Sequence, residues 1–481
     1  MVFNSIEFLI FFPLVVAGYF ALPHRARWVL LLAASYYFYM CWKLEYVFLI
    51  ILSTLVDYIA GIQMERHDGN NRIRKLYLIL SLAINLGLLF TFKYFNFFNE
   101  NVRDLFNAFN IVYHAPTLNL LLPVGISFYT FQTLSYTIEV YRRNYKAERH
   151  PGYFALYVAY FPQLVAGPIE RPGNLLPQLR QKHEFSYHNV TDGLKLMAWG
   201  FFKKLVIADR IPLFVDHVYN TPADYHGLNL LVPTILFHIR VYCDFSAYSD
   251  IAIGAARVMG VKLSVNFDRP FFVTSFRLFW RRWHMTLTRW VMDYIFKPLI
   301  IRVDKYGVWG RVFAICASFS IIGLWHGASW GMVLFGLFNG ILVASEAIAW
   351  PWQKWMSRLL RPRLKNLING LFVFLVICLT VVCFRANSAS DLLLIYRNIF
   401  SDILAPLSMK TFNGDVYNLS VLLVFMTLAG LVEYLQKEKV FVSDWINGYS
   451  AWIRWAFYIV LITVIFNFGM FSSREYIYFQ F

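Results

Sequence analysis

Two histidines stand in apolar runs where an ionisable side chain is costly. His326 lies near the start of residues 321–340, IIGLWHGASWGMVLFGLFNG, and His284 lies within 271–299, FFVTSFRLFWRRWHMTLTRWVMDYIFKPL. An ionisable residue at membrane depth marks function by default. An apolar surround keeps an imidazole neutral and able to accept a proton, which is what a general base needs. Pattern alone leaves His326 open between that role and an interhelical hydrogen bond. Glycines at 323, 327 and 331 form a ladder that lets another helix approach closely. His326, beside it, is expected to face a packed interior with no lipid contact.

The element carrying His284 sets a second chemistry beside the first. Read as one helix over 275–294, it turns about 100° per residue. Phe276, Trp280, Trp283, Leu287, Trp290 and Tyr294 then form an aromatic stripe, and Arg277, Arg281, His284 and Thr288 a polar one. Arg282, Arg289 and Asp293 fall on the far side. Such a helix is too charged to span lipid and suits an interface or a funnel wall. Its arginines could hold the phosphates of a nucleotide-bearing acyl carrier, or meet lipid headgroups. A third polar group, 243–250 (CDFSAYSD), interrupts the apolar run 228–259. Asp244 and Tyr248 share a helical face there, for substrate contact or for holding helices together.

Several chemistries lack support. The sequence 327–331 matches G-x-S-x-G, but a nucleophile elbow needs a strand–turn–helix context and this run reads as an apolar helix. No HExxH, P-loop or dinucleotide fingerprint is present. The five cysteines are an odd number with no CxxC, so they read as small buried hydrophobes, with neither a disulfide set nor a metal site.

The elements that position these groups are membrane helices. Of 481 residues, 59% are hydrophobic and only 15% charged, against about 25% charged in soluble domains. Mean hydropathy is +0.51. Apolar runs at 8–20, 28–42, 46–62, 76–95, 124–140, 153–165, 228–259, 312–324, 330–349, 367–384, 419–434 and 452–471, with an amphipathic stretch at 194–208 that carries Lys203 and Lys204, predict an all-α polytopic membrane protein with roughly 10–12 membrane segments in one domain, 1–481. The first run reads as a retained span. The net charge of +16 resides in short basic clusters between runs, which points to membrane lipids and away from nucleic acid. Loops 65–75 and 142–149 are basic and 104–119 has no Lys or Arg, which predicts cytoplasmic, cytoplasmic and outside placement, with the N-terminus outside. The segment 167–172, GPIERP, cannot continue a lipid-exposed helix. It either lines a cavity under protein cover or is a cytoplasmic loop.

Taken together, GPIERP at 167–172, CDFSAYSD at 243–250, RRWH at 281–284, GLWHG at 323–327 and the closing YFQF at 478–481 resemble the membrane-bound O-acyltransferase family, in the branch that acetylates bacterial polysaccharides such as alginate. The resemblance covers nearly the whole chain. It implies a helical fold whose thin centre joins a cytosolic funnel to an outer one. It also implies that His326 is the catalytic histidine and His284 its second position, with Trp325 beside them. Arg277, Arg281, Thr288, Asp244, Tyr248 and Trp325 make up the expected substrate-binding set. The donor implied is acetyl-coenzyme A or another acyl thioester, with no permanently bound cofactor and no metal. The implied partner is an extracytoplasmic serine-hydrolase-like acetyltransferase, and the location is the bacterial inner membrane. D-alanyl transfer to teichoic acid is a second reading. A transporter is a third, although paired half-repeats are not visible.

Overall fold

The computed structural model describes residues 1–348, 361–386, 388–403, 405–436, 439–471 and 475–479. Most of the basic segment 354–365, the end of the run 330–349, and Gln480 and Phe481 of the closing motif lie outside the described residues.

The described residues are helical, with no strand among them. Among the described residues seven helices are long and apolar enough to cross a membrane, and two shorter apolar helices, Ile6–Ala21 and Trp330–Glu346, accompany them. That is fewer than the number of apolar runs, for two reasons. Over the runs 28–42 and 124–140 the helices His24–Met40 and Ile126–Tyr141 have only 17 and 16 residues, short of the roughly 20 that one crossing needs. The run 153–165 stops being helical at Ala159 and turns through 160–167. The outer faces of the helices are apolar, as lipid demands: Ile6, Leu9, Ile10 and Leu14 are exposed, while Phe8, Phe12 and Val15 of the same helix are buried.

The chain divides into two compact units. The first comprises Met1–Leu194 and Ile251–Ser264. Its helices Val47–Arg66, Asn71–Leu89 and Ile126–Tyr141 bury a polar cluster. There Asp57 accepts from Ser81 at 2.5 Å and from Asn85 at 3.0 and 3.1 Å. Asp68 pairs with Arg74 and, at 2.8 Å, with Arg143, and Glu65 pairs with Arg149 at 3.0 Å. The two basic loops therefore share one end of this unit. Tyr46, at the other end of helix Val47–Arg66, donates to the Leu121 carbonyl, so the cation-poor segment lies at the opposite end. Residues 160–170 are all buried, so the irregular backbone around GPIERP is covered by protein. Glu170 accepts from the backbone and hydroxyl of Ser264 and from Asn174. Burial pushes its carboxyl up, and these bonds partly offset the shift.

The second unit comprises Lys195–Asp250 and Val265–Phe481. Its helix Gly307–His326 packs against helix Trp330–Ile348. A side chain at Gly323 would collide with the Met332 carbonyl, and one at Gly336 with that of Phe319. The close approach thus uses Gly323, Gly336 and Gly340 across two helices, correcting the single-helix ladder at 323, 327 and 331. The reason is local. The first helix ends at His326, Gly327 is extended (φ −163°), and residues 327–329 are a turn. The G-x-S-x-G match therefore falls on a helix–helix turn where a continuous helix was expected.

Candidate functional site

The continuous helix expected over 275–294 is broken. One helix spans Phe276–Arg282 and the next Met285–Val291, with His284 between them in the left-handed region (φ 42°, ψ 51°). A non-glycine residue there costs of order 1–3 kcal/mol and persists only when its surroundings over-determine it. Asn266, fully buried, supplies that constraint. Its carbonyl accepts from Met285 N at 2.9 Å and its side-chain oxygen from the Thr286 hydroxyl at 2.6 Å. Its amide also donates to Ser249 at 3.3 Å. Sequence reasoning missed Asn266, and no local pattern marks it.

The break turns His284 out of the arginine stripe and toward the other histidine. Its ring centre is 4.7 Å from Phe245, 5.7 Å from Trp325, 6.1 Å from Tyr478 and 6.2 Å from His326. His326, the last residue of its helix, packs 5.0 Å from Trp325 and Phe384 and 5.7 Å from Tyr478. Both histidines are buried. His284, Trp325 and His326 thus form one aromatic-walled group, 42 residues apart in sequence between the two histidines.

Asp244 and Tyr248 serve this group from behind. Asp244 takes the Lys204 ammonium at 2.8 Å and the backbone N–H of Ile477 at 2.7 Å. Tyr248 packs edge-on against Tyr476 at 5.1 Å. Together they hold the C-terminal segment that places Tyr478 against both histidines. Neither residue lines the cavities described next.

Two cavities meet at Trp280. The larger, about 260 Å³, is lined by Arg277, Arg281 and Thr288 together with apolar side chains including Phe319 and Ile322. The polar stripe, apart from His284, therefore does converge on one space even though its helix is broken. Arg282 points elsewhere, 3.8 Å from Asp268. Glu346 accepts from the backbone of Phe276 and Arg277, and Ser275 from Leu278 N at 3.1 Å, fixing the start of the arginine helix. The smaller cavity, about 20 Å³, is lined by His326, Trp280, Trp283, Tyr478, Asn339 and a third histidine, His238. His238 sits in the membrane helix Leu228–Val258 and is buried. The sequence carried its signal, an ionisable residue in an apolar run, but the aspartates six and twelve residues further on drew the attention. Among the described residues no group of three His, Cys, Asp or Glu side chains could hold a metal ion.

Compared with known proteins, residues 149–386 match the model of the membrane-bound O-acyltransferase family, a stretch that contains all three histidines and the arginine helix. The chain is 32% identical over 403 residues to a Pseudomonas aeruginosa protein named "Probable alginate O-acetylase AlgI", covering 83% of this chain and 75% of that relative. It is 30% identical over 436 residues to the peptidoglycan O-acetyltransferase of Helicobacter pylori, covering 83% and 80%. Similarity to the teichoic acid D-alanyltransferase of Bacillus subtilis is 27% over 276 residues, covering 55% and 69%.

Proposed function

The chain belongs to the membrane-bound O-acyltransferase family, and from that premise we propose that it moves an acetyl group from a cytosolic thioester to a hydroxyl destined for an extracytoplasmic, alginate-like polysaccharide. It is a multi-pass membrane protein and an O-acyltransferase. Acetyl is favoured over D-alanyl because the O-acetylating relatives match over 83% of the chain and the D-alanyl relative over 55%.

One observation carries the reading: buried His326 borders a small chamber that shares Trp280 with a larger, arginine-lined cavity. Arg277 and Arg281 hold the phosphates of acetyl-coenzyme A or a similar donor, and the thioester comes to rest against Trp280, the wall shared with the His326 chamber. His326 takes the proton from the acceptor hydroxyl as its oxygen bonds to the thioester carbonyl carbon. The carbon–sulfur bond then breaks, and the thiolate leaves with the proton that His326 returns. His284, 6.2 Å away, orients the reacting groups or protonates the thiolate directly. An extracytoplasmic serine-hydrolase-like partner works with the protein on the same polysaccharide.

The protein lies in the bacterial inner membrane with its N-terminus outside and the two basic loops in the cytoplasm. A single cysteine at position 70, in a cysteine-free background, is expected to label only from the cytoplasmic side. Labelling from outside alone reverses the orientation.

His326→Ala is expected to lower acetyl transfer by about 10²–10⁴-fold, the usual contribution of general-base catalysis, with expression and donor binding retained. His326→Gln should be as poor, because glutamine keeps hydrogen bonding without basicity. A glutamine variant with most of the parental rate would make His326 an interhelical hydrogen-bonder and end the catalytic assignment.

A further inference from the structure

The 20 Å³ chamber beside His326 holds more polar capacity than its own walls satisfy. Both ring nitrogens of His238 are buried without a hydrogen-bond partner among the described residues, as are the side-chain oxygen of Asn339 and the indole N–H of Trp280. His238 is 1% exposed and Asn339 0%. In a protein interior such groups are rare, and each one calls for an explanation.

Packing explains where His238 sits and leaves its polarity unexplained. Its ring stacks on Trp283 at 5.4 Å with planes 21° apart, and Phe271, Phe279 and Phe374 surround it at 5.1–6.1 Å. A phenylalanine would fill that aromatic box without leaving a donor and an acceptor unmet. The Asn339 amide is oriented by its neighbours. Its nitrogen donates to the Phe335 carbonyl at 2.8 Å and to the Thr380 hydroxyl at 3.2 Å, while that hydroxyl donates to the Ile377 carbonyl at 2.8 Å. Both of those positions need a donor, so the oxygen is the atom left over.

Size decides what can meet these groups. A cavity needs about 10–15 Å³ to take one water, so 20 Å³ admits a hydroxyl-sized group and excludes an acetyl thioester or a sugar ring. The donor has its own space in the 260 Å³ cavity on the other side of Trp280. We propose that His238 and Asn339 form the subsite that receives the acceptor hydroxyl, with the His238 N–H donating to its oxygen and its single proton held by the Asn339 side-chain oxygen until His326 takes it. His238 is then a positioning residue. This rests on His326 being the base, as argued above. The same chemistry fits a water molecule, which would lead to hydrolysis.

The test uses the full-length protein in lipid nanodiscs, with radiolabelled acetyl-coenzyme A as donor probe and an alginate oligosaccharide as acceptor probe. Label transferred to the oligosaccharide and label released as free acetate are counted separately. His238→Phe is expected to raise the acceptor KM by about tenfold, the worth of one net hydrogen bond, while the donor KM and the thermal midpoint stay put. His238→Gln, which restores a donor and an acceptor, should recover most of that loss. Asn339→Ala should move the acceptor KM in the same direction, which keeps the inference testable if the histidine variants do not accumulate. A His238→Phe protein with parental acceptor KM overturns the subsite, as does a loss that glutamine does not rescue and that follows the thermal midpoint. A loss confined to free acetate, with transfer unchanged, assigns the site to water alone and also overturns it. His326→Ala separates the two layers. If that variant still transfers acetyl, the general-base reading falls; if it is inactive while His238→Phe is indifferent, only the subsite falls.

Discussion

The lysine pair at 203–204 and the histidine chamber are both buried, both polar and both in the second unit, yet they are built on opposite principles. Lys204, fully buried, uses its three N–H groups on Asp209 and Asp244 at 2.8 Å each and on the Glu475 carbonyl at 3.3 Å. Lys203 meets Asp250 and Ser246 at 2.7 Å. The Asp57 cluster of the first unit likewise sets a buried carboxylate against donors, Ser81 and Asn85. Around the chamber, His238, Asn339 and Trp280 keep polar atoms without partners among the described residues. A satisfied buried network holds a fold together, whereas unmet groups around a cavity anticipate a ligand. Burial alone does not tell the two apart; the hydrogen-bond accounting does.

The largest effect that would break this comparison is at Lys204. Removing one member of a buried ion pair leaves an uncompensated charge and typically costs about 3–5 kcal/mol. Lys204→Met would leave Asp209 and Asp244 facing each other across an apolar side chain. It is expected to lower the thermal midpoint in detergent sharply and to reduce folded protein, with activity falling at least as far. A Lys204→Met protein as stable as its parent would mean that the network is dispensable, and the contrast with the chamber would lose its meaning.

Much of this was legible in the chain. Hydropathy exposed the membrane class, because a lipid solvent leaves helices with no other pattern to follow. The alternation of basic and cation-poor loops placed 65–75 and 142–149 together, and Asp68 joins them in the structure. His284 and His326 were legible as ionisable groups in apolar runs. What escaped depends on contacts distant in sequence. Asn266 breaks the helix at His284 from eighteen residues away, so a single-helix periodicity kept that histidine among the arginines. Gly336 and Gly340 complete the close approach from a second helix, which no spacing within the first could reveal. Asp244 read as support for helix packing ahead of substrate contact, and the Ile477 N–H shows what it supports, the C-terminal segment.

The smallest effect sharpens the comparison at the mouth of the larger cavity. Arg277 and Arg281 line that cavity from an exposed face, whereas Arg282, one residue on, faces Asp268. Charge-assisted hydrogen bonds to a phosphate contribute about 1.5–3 kcal/mol, so Arg281→Ala should raise the donor KM by at least about tenfold with kcat nearly unchanged. Arg277→Ala should behave in the same way. Arg282→Ala removes a half-exposed ion pair worth at most about 1 kcal/mol, and Asp268 keeps Arg269 at 2.8 Å. Its donor KM should therefore match the parent's, with a barely measurable loss of stability. Donor titrations of the three purified variants decide the matter, because headgroup contacts would make all three lose protein together. Selective loss at 277 and 281 ties the larger cavity to the phosphorylated donor and leaves Arg282 to the fold.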